Sequence, residues 1–152
     1  MTNYSVVSER LNQVIAITQK AGNKIMEIYN RPETVSLKVT TKSDHSPLTE
    51  ADLSAHTVIV GELAKLTPGI PIISEESQLP DYKERSEWNF FWLVDPLDGT
   101  TNFVRGIPHV AISIACQVRG KLEHAVILEP FKREEFTASR GKGAHLNGRR
   151  IR

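Results

Sequence analysis

The chain has 152 residues, 19 of them basic and 18 acidic, with a formal net charge of +1. That length suits one domain, or a portion of a larger one, and is enough to bury roughly two thirds of the unfolded surface. The balanced charge argues against a general affinity for nucleic acid or anionic membranes, and the single cysteine, Cys116, excludes an internal disulfide.

The chain opens with Met1-Thr2-Asn3-Tyr4-Ser5, which is not a basic-then-apolar leader pattern. No apolar run approaches the roughly 18 residues of a bilayer span, so the cytoplasm is the expected compartment. Val7, Leu11, Val14, Ile15, Ile25, Met26 and Tyr29 recur at helical spacing, with Ser5 as candidate N-cap and Asn30-Arg31-Pro32 as the stop. Val35, Leu37 and Val39 alternate with Ser36, Lys38 and Thr40, which predicts a half-buried strand. After the loop residues Ser43-Asp44-His45-Ser46-Pro47, Thr49 and Asp52 have the spacing of a capping box. Leu53, Ile59, Val60, Leu63 and Leu66 carry a second helix, which ends at Thr67-Pro68-Gly69.

Residues 70–73 form a short apolar strand that runs into Glu75-Glu76, and a polar loop follows over residues 77–89. Residues 90–94 are a buried strand leading into an acidic loop. Two strands, residues 109–118 and 121–128, are joined by Arg119-Gly120. Residues 136–138 are another short strand, with turns at Gly141-Lys142-Gly143 and Asn147-Gly148. The pattern is α+β, two helices layered on a mainly antiparallel sheet, in one domain.

The chemistry concentrates where two strands end in carboxylates, at Ile73-Ser74-Glu75-Glu76 and Val94-Asp95-Pro96-Leu97-Asp98. If the strands are neighbours, Glu75, Asp95 and Asp98 converge at one edge. Like charges about 4 Å apart repel by roughly 4 kcal/mol at an effective dielectric of 20, so such a cluster needs shared protons or cations. Hard oxygen donors with room for water and phosphate favour Mg²⁺. Pro96 stiffens the turn, so Asp95 and Asp98 both aim inward and the Leu97 carbonyl adds a ligand. Gly99-Thr100-Thr101 follows, a glycine and hydroxyls able to open a helix whose free N–H groups hold a phosphate. Carboxylates for metal and donors for phosphate in one loop suit metal-assisted phosphoester hydrolysis.

Trp92-Leu93-Val94-Asp95-Pro96-Leu97-Asp98-Gly99-Thr100-Thr101-Asn102-Phe103 resembles the signature of the inositol monophosphatase superfamily. Ile73-Ser74-Glu75-Glu76-Ser77 resembles its upstream acidic motif, and Ser46-Pro47-Leu48-Thr49-Glu50-Ala51-Asp52 its earlier threonine/aspartate segment. The resemblance implies layered helices and sheets and a Mg²⁺-dependent phosphatase, commonly inhibited by lithium. It implies that Glu75, Asp95, Asp98 and the Leu97 carbonyl bind metal. It implies also that Thr100 and Asp52 orient and deprotonate the attacking water, and that Gly99, Thr100 and Thr101 contact the phosphate.

The likeness changes along the chain. Residues 41–97 look most like bacterial 3'(2'),5'-bisphosphate nucleotidases. Thr101-Asn102-Phe103-Val104-Arg105-Gly106-Ile107-Pro108-His109 and later segments look like bacterial inositol-1-monophosphatases. A chimera joined between Asp95 and Thr100 is therefore expected. The longer stretch tilts the expected substrate to 3'-phosphoadenosine 5'-phosphate, with inositol 1-phosphate as the alternative. Family members continue beyond a sequence like Leu146-Asn147-Gly148-Arg149-Arg150-Ile151-Arg152, where a further metal-binding aspartate would lie. We expect a half site, binding one Mg²⁺ weakly and turning over slowly or not at all. A non-catalytic metal-binding fragment acting through protein contacts is the alternative of another class.

Later elements would cover Val110, Ile112, Ile114, Val126 and Leu128, so their exposure here would drive formation of a homo-oligomer. The five histidines have no metal-pair spacing, and His56 and His109 read as structural. Lys42 reads equally as a phosphate contact or a solvated lysine, Glu76 as a ligand or its support, and Asp44 as a metal support or a loop cap. Cys116 reads as a small buried hydrophobe, and Trp88 and Trp92 as packing residues.

Overall fold

The computed structural model describes residues 10–152. Ser5 and Val7, the expected N-cap and first apolar position, lie outside the described residues. The first helix, α1 (Leu11–Tyr29), buries Val14, Ile17, Ala21, Ile25 and Ile28, a stripe at three- and four-residue spacing. Tyr29 closes it by packing on Phe103 and Phe131 and donating its hydroxyl to the Gly106 carbonyl at 3.0 Å.

The strand expected from the alternation at Val35, Leu37 and Val39 is only partly present. Residues 35–38 find no partner strand: the Val35 amide turns back to the Pro32 carbonyl, and Val35 is half exposed. Pairing begins at β1 (Val39–Thr41), which forms a small antiparallel hairpin with β2 (Pro47–Thr49). Helix α2 (Glu50–Leu66) follows directly. Its N-terminus is the expected capping box, with the Thr49 hydroxyl accepting from the Asp52 amide and the Asp52 carboxylate accepting from the Thr49 amide. Thr67 ends it and holds the indole of Trp92, whose Nε1 donates to Thr67 Oγ1 at 3.0 Å.

The remaining strands are β3 (Ile72–Ser74), β4 (Phe90–Asp98), β5 (Ala111–Val118), β6 (Lys121–Glu129), β7 (Glu134–Ser139), β8 (Gly143–Leu146) and β9 (Arg149–Ile151). They form one sheet in chain order, with β3 parallel to β4 and every later pair antiparallel. The polar loop expected over residues 77–89 contains a short helix, α3 (Tyr82–Ser86), capped by Asp81. Strands β8 and β9 were not anticipated, because β8 is short and β9 is wholly exposed, so neither carries a strong apolar alternation. Their turn, Asn147-Gly148, has positive φ at both residues, as does Arg119-Gly120 between β5 and β6.

The helices cover one face of the sheet, and α1 comes so close to it that a Cβ on Gly22 would lie 2.7 Å from Leu128 Cδ2. That covered face carries Val110, Ile112, Ile114, Val126 and Leu128, all buried. The expectation that these five would be exposed is therefore wrong. Residues of the opposite parity point away from the helices, and among them Ile127 is 43% exposed.

Candidate active site

The site is built at the ends of β3 and β4. Their parallel register sets Ser74 opposite Val94, and the Glu75 amide continues the ladder to the Val94 carbonyl at 3.0 Å. Glu75 and Asp95 therefore leave the sheet side by side. The register with β5 slips between Asp95 and Asp98, a bulge that buries Pro96 and Leu97. Within it the Leu97 amide donates to Asp95 Oδ1 at 3.2 Å.

Burial pushes the Asp95 carboxyl up to about 7, helped by a hydrogen bond with Glu75 and the charges of Glu75 and Asp98, and opposed by the Leu97 amide. This is the behaviour of crowded carboxylates that share a proton when no cation is near. The donors are all hard oxygens, so Glu75, Asp95 and the Leu97 carbonyl fit a divalent ion such as Mg²⁺. Asp98 is exposed and acts on Asp95 through its charge. Among the described residues, no three acidic, imidazole or thiol side chains are already gathered around one point.

A lysine provides the local countercharge. Lys42 Nζ lies 2.8 Å from Glu76 Oε1 and 3.3 Å from Glu75 Oε1, while the Glu76 side chain is only 4% exposed. Lys42 is brought there by the turn between β1 and β2, where its amide donates to the Ser46 carbonyl at 2.9 Å. Asp44 caps that turn by accepting from the Ser46 amide and hydroxyl. Ser74 is buried and pinned from α2, its hydroxyl 2.8 Å from His56 Nδ1, which steadies the strand end before Glu75.

Asp52 lies at the first turn of α2, 1% exposed. Its Oδ2 accepts from the Thr49 amide at 2.9 Å and the Thr49 hydroxyl at 2.5 Å, and its Oδ1 accepts from the Thr100 hydroxyl at 2.8 Å. Thr100 begins α4 (Thr100–Val104), and its hydroxyl oxygen also lies 3.2 Å from the Leu97 carbonyl. Gly99 precedes it at φ +90°, where a Cβ would stand 2.9 Å from the His109 carbonyl. A side chain there would push the turn off the strand.

A cavity of about 230 Å³ opens over these groups, and Glu75, Gly99, Thr100 and Thr101 are among its lining residues. Asp95 and Asp52 do not line it themselves: Asp95 is hydrogen-bonded to the lining residue Glu75, and Asp52 to the lining residue Thr100. Lys42, Ser46, Pro47 and Asn102 also line it. Of these, Lys42 was left open in the sequence because a lone lysine in a polar turn carries no spacing signal. Asn102 adds a wall contact by donating from Nδ2 to the His109 carbonyl at 2.9 Å.

Residues 7–152 match the sequence model of the inositol monophosphatase family. A curated relative, the Nus factor SuhB of Pseudomonas aeruginosa, is 44% identical over 142 residues, covering 93% of this chain and 51% of the relative. The structure of an IMPase from Thermotoga maritima superposes with a TM-score of 0.82 at 33% identity, covering 95% of this chain and 53% of that one. CysQ from Bacteroides thetaiotaomicron, described as a bacterial member of the inositol monophosphatase family, superposes with a TM-score of 0.72 at 36% identity, over 88% of this chain and 46% of its own. The chain spans about half the length of the curated relatives it matches.

Proposed function

The chain belongs to the inositol monophosphatase family, and on that footing we propose that it carries the metal- and phosphate-binding portion of a Mg²⁺-dependent phosphomonoesterase. The observation that carries this reading is the Asp52–Thr100 hydrogen bond of 2.8 Å, in a cavity that Glu75 also lines and beside which Asp95 lies. Glu75, Asp95, the Leu97 carbonyl and Asp98 would hold Mg²⁺, which supplies charge neutralisation for the phosphoryl group and a more acidic water.

The chain's own residues then have separable tasks. Thr100 gives its hydroxyl proton to Asp52 Oδ1, which leaves its oxygen free to accept a proton from the attacking water. Gly99, Thr100 and Thr101 present the open backbone of a helix start to the phosphate oxygens. Lys42 balances Glu75 and Glu76 at the cavity rim and is within reach of an incoming phosphate. The reading treats residues 1–152 as a single domain, with the cytoplasm as its compartment. Among the described residues no helix is long and apolar enough to cross a membrane.

The finer reading leans to 3'-phosphoadenosine 5'-phosphate as substrate, with inositol 1-phosphate as the alternative. Its support is the stretch of likeness through Asp52 and Glu75. A chimeric origin joined within residues 95–100 gains no support from the Pseudomonas alignment, whose 142 residues necessarily run through that segment. With the helix-side apolar face buried, homo-oligomerisation rests on outward residues such as Ile127.

That relative is designated a Nus factor, which is not an enzyme name. This favours a second reading, in which the chain binds metal and acts through protein contacts.

The test measures phosphate release from both substrates with and without Mg²⁺, beside an Asp95→Asn control. Mg²⁺-dependent release that disappears in the control supports the phosphatase reading and selects its substrate. Absence of release from a folded chain that still binds Mg²⁺ favours the second reading.

A further inference from the structure

Helix α2 reaches the site twice. Asp52 and His56 lie one turn apart on it, so their side chains leave the same face. Asp52 accepts from Thr100. His56 goes to the other half of the site, with its Nδ1 2.8 Å from the hydroxyl of Ser74, the last residue of β3.

That contact falls at a weak place in the sheet. β3 is three residues long and is an edge strand, paired with β4 alone. So short an edge is held by few backbone hydrogen bonds and opens readily. Yet it delivers the acidic pair. The Ser77 amide donates to the Ser74 carbonyl at 3.0 Å, so Ser74 is the first residue of a β-turn whose two central residues are Glu75 and Glu76. The placement of both carboxylates therefore follows from the placement of Ser74.

Ser74 is 3% exposed, and among the described residues His56 is the one partner of its hydroxyl. With that hydroxyl donating to Nδ1, the imidazole proton lies on Nε2 and the buried donor is satisfied by this bond alone. Ala55 and Ile59, which flank His56 on α2, are fully buried, so the imidazole projects from a rigid element.

We propose that His56 is a positioning residue: acting through Ser74, it sets the Glu75-Glu76 turn in the geometry that holds Mg²⁺. This rests on the phosphatase reading, in which Glu75 is a metal ligand. His56 does not line the cavity, so its effect passes through the turn. Removing a group that orients a metal ligand weakens metal binding by about 10- to 100-fold, and His56 acts one residue before the ligand, which sets the expectation at about tenfold.

The experiment titrates the ¹⁵N-labelled 152-residue chain with magnesium chloride, against sodium chloride at matched ionic strength, and follows the Glu75 and Glu76 amides. Hydrogen exchange of the Glu75 amide, which donates to the Val94 carbonyl, is measured without metal. Ser74→Ala and His56→Phe should each weaken Mg²⁺ binding about tenfold and speed exchange at Glu75, while the remaining amide spectrum stays that of a folded chain. The double variant should lose no more than either single one. His56→Asn, whose Oδ1 accepts from Ser74 in place of Nδ1, should restore both readouts. Additive losses in the double variant would overturn the proposal, as would parental Mg²⁺ affinity in folded Ser74→Ala. If the parent itself binds no Mg²⁺, the phosphatase reading fails and Glu75 exchange decides alone. Exchange unchanged in both single variants then overturns the positioning role, and faster exchange restored by His56→Asn upholds it.

Discussion

Thr100 donates its hydroxyl to Asp52 Oδ1 at 2.8 Å, while Oδ2 of the same carboxylate closes the capping box of α2 onto Thr49. One buried side chain thus joins the start of a helix to the Gly99–Thr101 turn. The fold and the proposed chemistry are coupled through it, and substitutions can separate them. Thr49→Ala removes the cap and should cost about 1 kcal/mol in urea unfolding. Thr100→Val leaves the cap in place. It leaves the buried Asp52 Oδ1 without its donor and should also cost about 1–3 kcal/mol in urea unfolding, but it should lower any Mg²⁺-dependent phosphate release at least tenfold, a loss that Thr49→Ala should not match. Equal loss of phosphate release in both variants would contradict the separation.

Gly99 is held at φ +90° with the His109 carbonyl 2.9 Å from where a Cβ would stand. Gly99→Ala meets backbone, which cannot rotate away, and adds left-handed strain of about 1–2 kcal/mol. Thermal unfolding should show a lower Tm, and Mg²⁺-dependent turnover should fall as α4 shifts from Asp52. An unchanged Tm would show that the turn has room to relax.

Two helical glycines should respond in opposite directions to the same change. Gly61 in α2 has nothing within 4 Å of an added Cβ, so Gly61→Ala should gain up to about 1 kcal/mol from helix propensity. At Gly22 the added methyl meets Leu128 Cδ2 at 2.7 Å under α1. Overpacking of about 1–3 kcal/mol then opposes the same gain, and Gly22→Ala should be neutral to about 2 kcal/mol destabilised. Denaturant midpoints of the two variants provide the comparison.

Burial holds the His124 imidazole below its ordinary value of 6.5, with Glu123 opposing and Lys142 reinforcing the shift. His145, on β8, lines a small cavity together with His124 and Lys142. The unfolded chain therefore binds the proton first as the pH falls. This contribution to stability is complete above about 6.5 and is lost as the pH drops through the lower folded-state value. The raised Asp95 carboxyl acts in the opposite sense over the same window, because the folded chain takes up that proton first, so the His124 contribution is read as a difference: between about pH 7 and pH 5 the parent's urea midpoint should fall relative to that of His124→Gln. A slope equal to the parent's in the variant would assign the pH dependence to other groups.

Cys116 is fully buried on β5, and its thiol is pushed up to about 12 by burial and by Glu123. A thiol reagent at neutral pH should leave the folded chain unmodified and react on addition of denaturant, as mass spectrometry would show. Rapid modification of the native chain would mean that β5 opens under native conditions.

Much of this protein is written in short-range spacing. Thr49 and Asp52 are three residues apart, and a capping box needs only local backbone geometry, so the start of α2 was legible. The same holds for the apolar stripe of α1 and for the two-residue turn at Arg119-Gly120. The carboxylates at the ends of β3 and β4 were also visible, because each follows an apolar run. What the chain alone left open were relationships between distant segments. Alternation along β5 and β6 shows that two faces differ, but only the seating of α1 and α2 decided that Ile112, Ile114, Val126 and Leu128 are the covered ones. The alternation at Val35 and Leu37 had no strand to pair with, so periodicity without a partner left it outside the sheet. Lys42 became the counterion of Glu76, and His124 the neighbour of Lys142, through contacts across the fold. Local propensity acts within a few residues, whereas charge pairing and burial depend on which surfaces the folded chain brings together.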